Sequence, residues 1–249
     1  MMKIPTFFHF MKQFQGKGHS PGFSGLEGQS NFQHAAFLRK MQQELKLEES
    51  LSVPLEELNA VVFDLETTGF FPEKGDQILS IGAVKVNGSH IEEETFYSYV
   101  HYDGEIPEGV KRLTGIEERD VKNAPRLTEV LISFYQFVEN KTLVAHHANH
   151  EKNFLTKANR DLFRISFNHR IIDTAMLFQL ANHDTHAVTL EDCCKCFSIT
   201  VQNRHHALGD AKMTAALWCE YIKIFTRKGY KTLMDVYLNL SKLKQGARK

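Results

Sequence analysis

Several features are missing from this sequence, and each absence excludes something. No apolar run approaches the roughly 18 residues of a membrane-spanning helix, so no membrane segment is expected. Neither sign of charge is in excess: 30 Lys and Arg balance 30 Asp and Glu. That removes a strong overall basic balance as an argument for nucleic-acid binding, while leaving room for a local basic groove. Cysteine is sparse, four in 249 residues, and Cys193, Cys194 and Cys196 crowd one expected helix, a poor disulfide framework. The first stretch, MMKIPTFFHFMKQF, has aromatics but no small-residue cleavage site. No signal peptide is therefore expected, and a reducing cytoplasm is the default location. No internal repeat is found. What remains is an ordinary globular composition, 42% hydrophobic, long enough for one large domain plus an appendage.

Residues 15–31, QGKGHSPGFSGLEGQSN, hold five glycines, a proline and three serines and read as a flexible linker. Behind it Phe37, Leu38, Met41 and Leu45 recur at helical spacing. This short amphipathic helix is expected to dock on the main domain, with a partner-binding helix as the alternative. The expected organisation is an N-terminal extension over 1–58, a main domain over 59–228, and a C-terminal helix with a basic tail over 229–249. Strands are expected at 60–66, 77–87 and 92–100, with Gly88 in the connecting turn, then at 143–145 and 170–172. Helices are expected at 107–114, 117–121, from Leu127 to Val138, and at 149–162, 173–181, 189–197, 209–227 and 230–241. The first strand is almost continuously apolar, as a central strand covered on both faces would be. Three strands followed by alternating helix and strand indicate an α/β fold, a mixed sheet flanked by helices.

Asp64 and Glu66 stand two apart at the end of that first strand, in FDLETTG. Strand side chains alternate, so both carboxylates project from one face, near the strand end where ligand crevices open. Two adjacent anions repel unless a cation sits between them. Thr67, Thr68 and Gly69 then turn the chain without bulk and leave room for a ligand. A bare D-x-E is also common on plain surfaces. Glu151 shares a helix face with Phe154 and Leu155, so it points inward or along a cleft edge. Asp210 opens a strongly apolar helix, with His205 five residues upstream. Each of these two acids, taken singly, is also what a helix dipole favours in a first turn.

The conjunction is more specific. FDLETTG, then DQILSIGAV (76–84), LVAHHA with Phe154-Leu155 behind it, and HHALGDA (205–211) strongly resemble the DnaQ-like 3′–5′ exonucleases of the DEDDh group. That family includes the proofreading epsilon subunit of DNA polymerase III and oligoribonuclease. The resemblance covers about 59–225 and implies a ribonuclease H-like fold. KRLTGI (111–116) is similar to the family's helical segment near the substrate terminus, which places Leu113 and Thr114 beside substrate.

The resemblance matches Asp64 and Glu66 to the first two family acids, Asp210 to the last, and His205 to the general base. His206 has the spacing that tyrosine takes in the sister group. Glu151 falls where the family usually has aspartate, in His147-Ala148-Asn149-His150-Glu151, and its extra methylene moves the carboxylate by roughly 1.3–1.5 Å. The implied chemistry is hydrolysis around two divalent cations, Mg2+ or Mn2+, held by the four acids. His205 takes the proton of the attacking water. The implied substrate is nucleic acid with a free 3′ end, foremost single-stranded DNA, in proofreading or repair. A polymerase or another protein, engaged through the N-terminal extension, is the implied partner. An exoribonuclease and a nucleic-acid-binding module with an impaired site are the competing readings. Among weaker signals, His146 is a candidate substrate contact, Phe70 and Phe71 could stack on a terminal base, and Asp173 is structural support. Cys193-x-x-Cys196, His183-x-x-His186 and Trp218 are assigned to packing or polar loop.

Overall fold

The apolar run ahead of Asp64 becomes the central strand of a five-stranded sheet. The computed structural model describes residues 51–182 and 189–246. The expected N-terminal helix and the pair His183 and His186 lie outside them. Strand order is β3-β2-β1-β4-β5, from β1 (Asn59–Thr67), β2 (Ile78–Asn87), β3 (His90–Tyr99), β4 (Thr142–Ala145) and β5 (Ile171–Asp173). The first three strands pair antiparallel, whereas β4 and β5 join β1 in parallel. This is the mixed sheet expected from the order of elements.

Helices cover both faces, and β1 shows why its sequence does not alternate. Ala60 and Val62 enter one core layer with Ala211, Ala215, Trp218 and Ile222 of α7 (Ala207–Arg227). Val61, Phe63 and Leu65 enter the other, with Leu131, Phe134 and Val138 of α3 (Leu127–Val138). Asp64 and Glu66 continue the even-numbered face, so they look toward α7. Before α3 lie the short α1 (Glu108–Thr114) and α2 (Glu118–Val121). After β4 come α4 (Asn149–Ala158), then α5 (Thr174–Ala181) and α6 (Leu190–Cys196) around β5 and α7, and finally α8 (Leu233–Gly246). Among the described residues no helix is long and apolar enough to cross a membrane.

Several boundaries move, one through a tertiary contact and the others through local caps. The helix expected to reach 162 stops as an α-helix at Ala158 and widens into a π turn over Asn159–Phe163. Asn159 is buried there, donating to Leu155 O at 2.7 Å and to the Tyr135 hydroxyl. The helix expected from 209 begins at Ala207, because the His206 ring accepts the Gly209 N–H and caps it. The last helix begins at Leu233 rather than 230, since Asp235 accepts from the backbone N–H groups of Lys231 and Thr232. Strand β5 ends on Asp173, one residue later than expected, and that carboxylate caps α5 by accepting from Ala175 N at 2.9 Å.

The margins of the expected main domain pack into its core. Leu55 and Leu58, and Leu233, Val236 and Leu240 of α8, join the α7-side cluster. Leu55 N donates to Lys231 O at 2.8 Å, which fastens the two margins together. Cys193, Cys194 and Trp218 are buried in the same cluster, while Cys196 is exposed.

Candidate metal centre

Asp64 pairs with Gly82 on β2, and Gly82 pairs with Tyr97 on β3, so the three form one row across the sheet. The missing side chain in the middle of that row decides where α7 lies. A Cβ on Gly82 would stand 2.2 Å from Leu208 N and 2.3 Å from Ala207 C. The first turn of α7 thus presses directly on the sheet. His206 stacks on Tyr97, with ring centroids 4.6 Å apart, and Asp210 comes down beside the β1 acids. Ligand oxygens of Asp64, Glu66 and Asp210 all lie within 4.8 Å of one another.

Glu151 stands outside that trio but belongs to the same electrostatic group. It is buried on the first turn of α4, on the face that also buries Phe154 and Leu155. The Asp64 carboxyl is held well above its usual range, by burial first and then by repulsion from Glu66, Glu151 and Asp210. Burial, then the charge of Asp210, pushes Glu66 up to about 8. Glu151 also rises to about 8, through burial and then Asp173 and Glu66. Asp210 rises less, to about 6, because burial is opposed by the Arg204 guanidinium.

The donor set fits a hard divalent cation. Glu151 Oε2 and Asp210 Oδ1 are buried with no hydrogen-bond partner, and a buried carboxylate oxygen without a donor is costly unless a cation meets it. Every side chain in the group offers only carboxylate oxygen, the ligand type of Mg2+ and Mn2+.

The remaining residues singled out from sequence divide into two kinds. His205 lies at the edge of the acids in a left-handed conformation, φ 61°, and its N–H donates to Asp210 Oδ2 at 3.3 Å. His206 is committed to capping and to Tyr97, whereas the His205 ring lies beside Arg204, with Nδ1 3.3 Å from Nη1. Thr67 Oγ1 donates to Gly69 O at 2.7 Å and lies 3.3 Å from His150 Nε2, tying the end of β1 to α4. Thr68 accepts from Gln77 N and donates to Asp76, while Asp76 also accepts from Phe71 N at 2.8 Å. Both threonines therefore shape the loop that follows the acids. Gly69 is fixed by the same latch: a Cβ there would meet Asp76 Oδ2 at 2.4 Å. Thr114 donates to Val110 O and accepts from Ile116 N, so it stabilises the end of α1 beside exposed Leu113. His146 Nδ1 sits 2.9 Å from Thr174 Oγ1, at the start of α5. Asp173 accepts from His147 N as well as Ala175 N, the supporting role expected of it. Phe70 is 75% exposed, edge-on to His150.

Arg204, Glu191 and Asp76 were not singled out by sequence. Arg204 donates from Nη1 to Asp210 Oδ2 and from Nε to Glu191 Oε1, the latter at 2.6 Å. The only local sign was an arginine directly before the two histidines.

Residues 61–218 match the Exonuclease (RNase_T) family. Among similar proteins is a PolC-type DNA polymerase III of Clostridium perfringens, 37% identical over 71% of this chain and 12% of that protein. The 3′-5′ exonuclease DinG of Staphylococcus aureus is 31% identical over 74% of this chain and 20% of its own length. The DNA polymerase III subunit epsilon of Aquifex aeolicus is 31% identical over 75% of this chain and 90% of its length. The chain thus spans about an eighth of the polymerase-type relative and most of the epsilon subunit. Among the solved structures that share the fold are two exonucleases. One is E. coli exonuclease I with a dT13 oligonucleotide, TM-score 0.58 and 14% identity, covering 69% of this chain and 42% of that one. The other is a 3′-exonuclease that recognises a histone mRNA stem-loop, TM-score 0.59 and 20% identity, covering 76% and 71%. With a sheet of this order, an acid group at this strand end and a family match across most of the described residues, the chain belongs to the Exonuclease (RNase_T) family of DnaQ-like, ribonuclease H-like folds.

Proposed function

We propose that this chain is a metal-dependent 3′–5′ exonuclease that removes nucleoside 5′-monophosphates from the 3′ end of single-stranded DNA. The observation that carries the reading is the convergence of Asp64, Glu66 and Asp210 within 4.8 Å, with the partnerless oxygens of Glu151 and Asp210 buried beside them. Asp64, Glu66, Glu151 and Asp210 would hold two divalent cations, Mg2+ or Mn2+, which when bound supply positive charge and Lewis acidity to a phosphodiester. His205 takes the proton of the attacking water. Water oxygen bonds to phosphorus, the P–O3′ bond breaks, and its electron pair stays with O3′ on the shortened strand. Phe70, which is exposed, offers an aromatic face on which a terminal base can stack, and exposed Leu113 offers an apolar contact. Thr67, Thr68 and Gly69 hold the loop that carries Phe70, and His146 braces the strand end ahead of α4.

A directional name among the relatives and a single-stranded oligonucleotide in a structural neighbour support the polarity and the substrate. The proofreading or repair role, with a polymerase as partner, rests on relatives that are polymerase III proteins. Single-stranded DNA, blunt DNA and RNA oligonucleotides, 5′-labelled and incubated with Mg2+ or Mn2+, test the proposal. It predicts stepwise ladders strongest on single-stranded DNA and lost in Asp64→Ala. Faster shortening of RNA would identify an exoribonuclease instead, and binding without cleavage in either metal would identify an impaired site.

A further inference from the structure

The acid group is not left to itself in this structure. Arg204 reaches it from the loop before α7 and bridges three partners. Its Nη1 donates to Asp210 Oδ2, its Nε donates to Glu191 Oε1 at 2.6 Å, and Nη1 also lies 3.3 Å from His205 Nδ1. We propose that Arg204 is a resident cation: it occupies the Asp210 limb of the site while metal is absent, and divalent cations displace it onto Glu191. This inference rests on the assignment of Asp210 to a metal site.

Three observations converge on that role. The first is charge. Asp64, Glu66 and Asp210 crowd together under burial, and Arg204 is the cation whose field opposes their mutual repulsion. A guanidinium in contact with a carboxylate supplies part of what a metal ion would supply, without satisfying Asp210 Oδ1 or Glu151 Oε2. The second is the second carboxylate. Glu191, on the first turn of α6, is partly exposed and already holds the other edge of the guanidinium. Arg204 can thus give up Asp210 and keep a paired charge.

The third concerns His205. A guanidinium carries donors only, so a hydrogen bond from Nη1 makes His205 Nδ1 the acceptor. The hydrogen of a neutral ring then sits on Nε2. One ring nitrogen is engaged and the other is already protonated, so neither can take a proton from water. Departure of Arg204 frees Nδ1. The same movement that opens Asp210 to metal also releases the base, which couples readiness for catalysis to metal loading.

Metal binding without nucleic acid tests this directly. Mn2+ is titrated calorimetrically into wild type, Arg204→Gln, Glu191→Gln and the double variant, each metal-free and each checked for native circular dichroism. Arg204→Gln removes the competitor, so Mn2+ binds roughly tenfold tighter. The metal-free variant melts lower than wild type near pH 8, and Mn2+ restores it. Merely structural damage at this position would weaken binding, never tighten it. Glu191→Gln, which leaves Arg204 with Asp210 alone, weakens Mn2+ binding. In the Arg204→Gln background the same change has little effect, because Glu191 acts through Arg204. Unchanged or weaker Mn2+ binding by Arg204→Gln overturns the inference alone. No Mn2+ binding by wild type overturns both it and the reading of the site beneath it.

Discussion

A single added methyl group should separate the packing of this fold from its chemistry. Gly82→Ala places a Cβ 2.2 Å from Leu208 N and 2.3 Å from Ala207 C, both backbone atoms of the α7 first turn. Backbone cannot rotate away as a side chain can, so helix and strand must part by roughly 1 Å to regain van der Waals contact. Overpacking of this kind costs about 1–3 kcal/mol. For a chain of this size that corresponds to a fall in melting temperature of about 2–12 °C. The effect on activity is larger, because the shift falls on the junction that sets Asp210 against Asp64. A misplacement of about 1 Å at a reacting centre is associated with a rate loss of about 100-fold. Shortening of a 5′-labelled single strand, measured at saturating Mn2+ beside a thermal melt, reads both quantities. Gly109→Ala serves as the control, since nothing stands within 4 Å of its added Cβ. Near-native turnover by Gly82→Ala, or a melting curve like that of the control, would refute the claim that the contact at Gly82 places the acids.

Further outcomes follow from the same geometry. In metal-free protein, Glu66 and Glu151 titrate near 8 instead of their ordinary 4.5, so the folded state binds more protons than the unfolded one between those values. Stability therefore falls as pH rises from about 4.5 to about 8, and Mn2+ flattens the decline; thermal melts in EDTA and in Mn2+ across that range check it. Asp64→Asn abolishes activity but raises the metal-free melting temperature at pH 8, because a carboxyl whose ionisation its acidic neighbours oppose is gone; a lower melting temperature would contradict the repulsion account. Phe70→Ala leaves the melting temperature unchanged, since the ring is 75% exposed, and raises the oligonucleotide KM by about 5-fold or more, as expected for a lost stacking face. Asp173→Ala loses two backbone acceptor contacts and costs about 1–2 kcal/mol in a denaturant titration, as a lost helix cap does.

How much of this was legible in the sequence depends on the range over which each signal acts. The pairing of Asp64 with Glu66 follows from strand alternation, and the burial of Glu151 from its shared face with Phe154 and Leu155; both are local. Their meeting with Asp210 is not local, and only the resemblance between separated motifs pointed to it. The Gly82 gap was invisible for the same reason: DQILSIGAV reads as a strand with a glycine in it, and what fills the space is a helix over a hundred residues later. The early widening of α4 has no local signal either, because Asn159 bonds to Tyr135 on another helix. Arg204 and Glu191 are 13 apart in sequence, with no regular spacing to mark them as partners. His206 appeared as a competitor for His205 by spacing alone, and its commitment to Tyr97 and the α7 cap shows only once β3 and α7 are brought together.

Strand β1 also gives the molecule two poles. It enters at Asn59, where Gly88 N donates to Leu58 O and Pro54 bridges to Thr232, and it reaches the acids about 17–23 Å away. Leu51, whose O accepts from Met234 N at 3.1 Å, consequently lies at the far pole from the carboxylates. Contacts at that pole, among Leu51, Pro54, Lys231 and Thr232, can therefore be altered without touching the carboxylates directly.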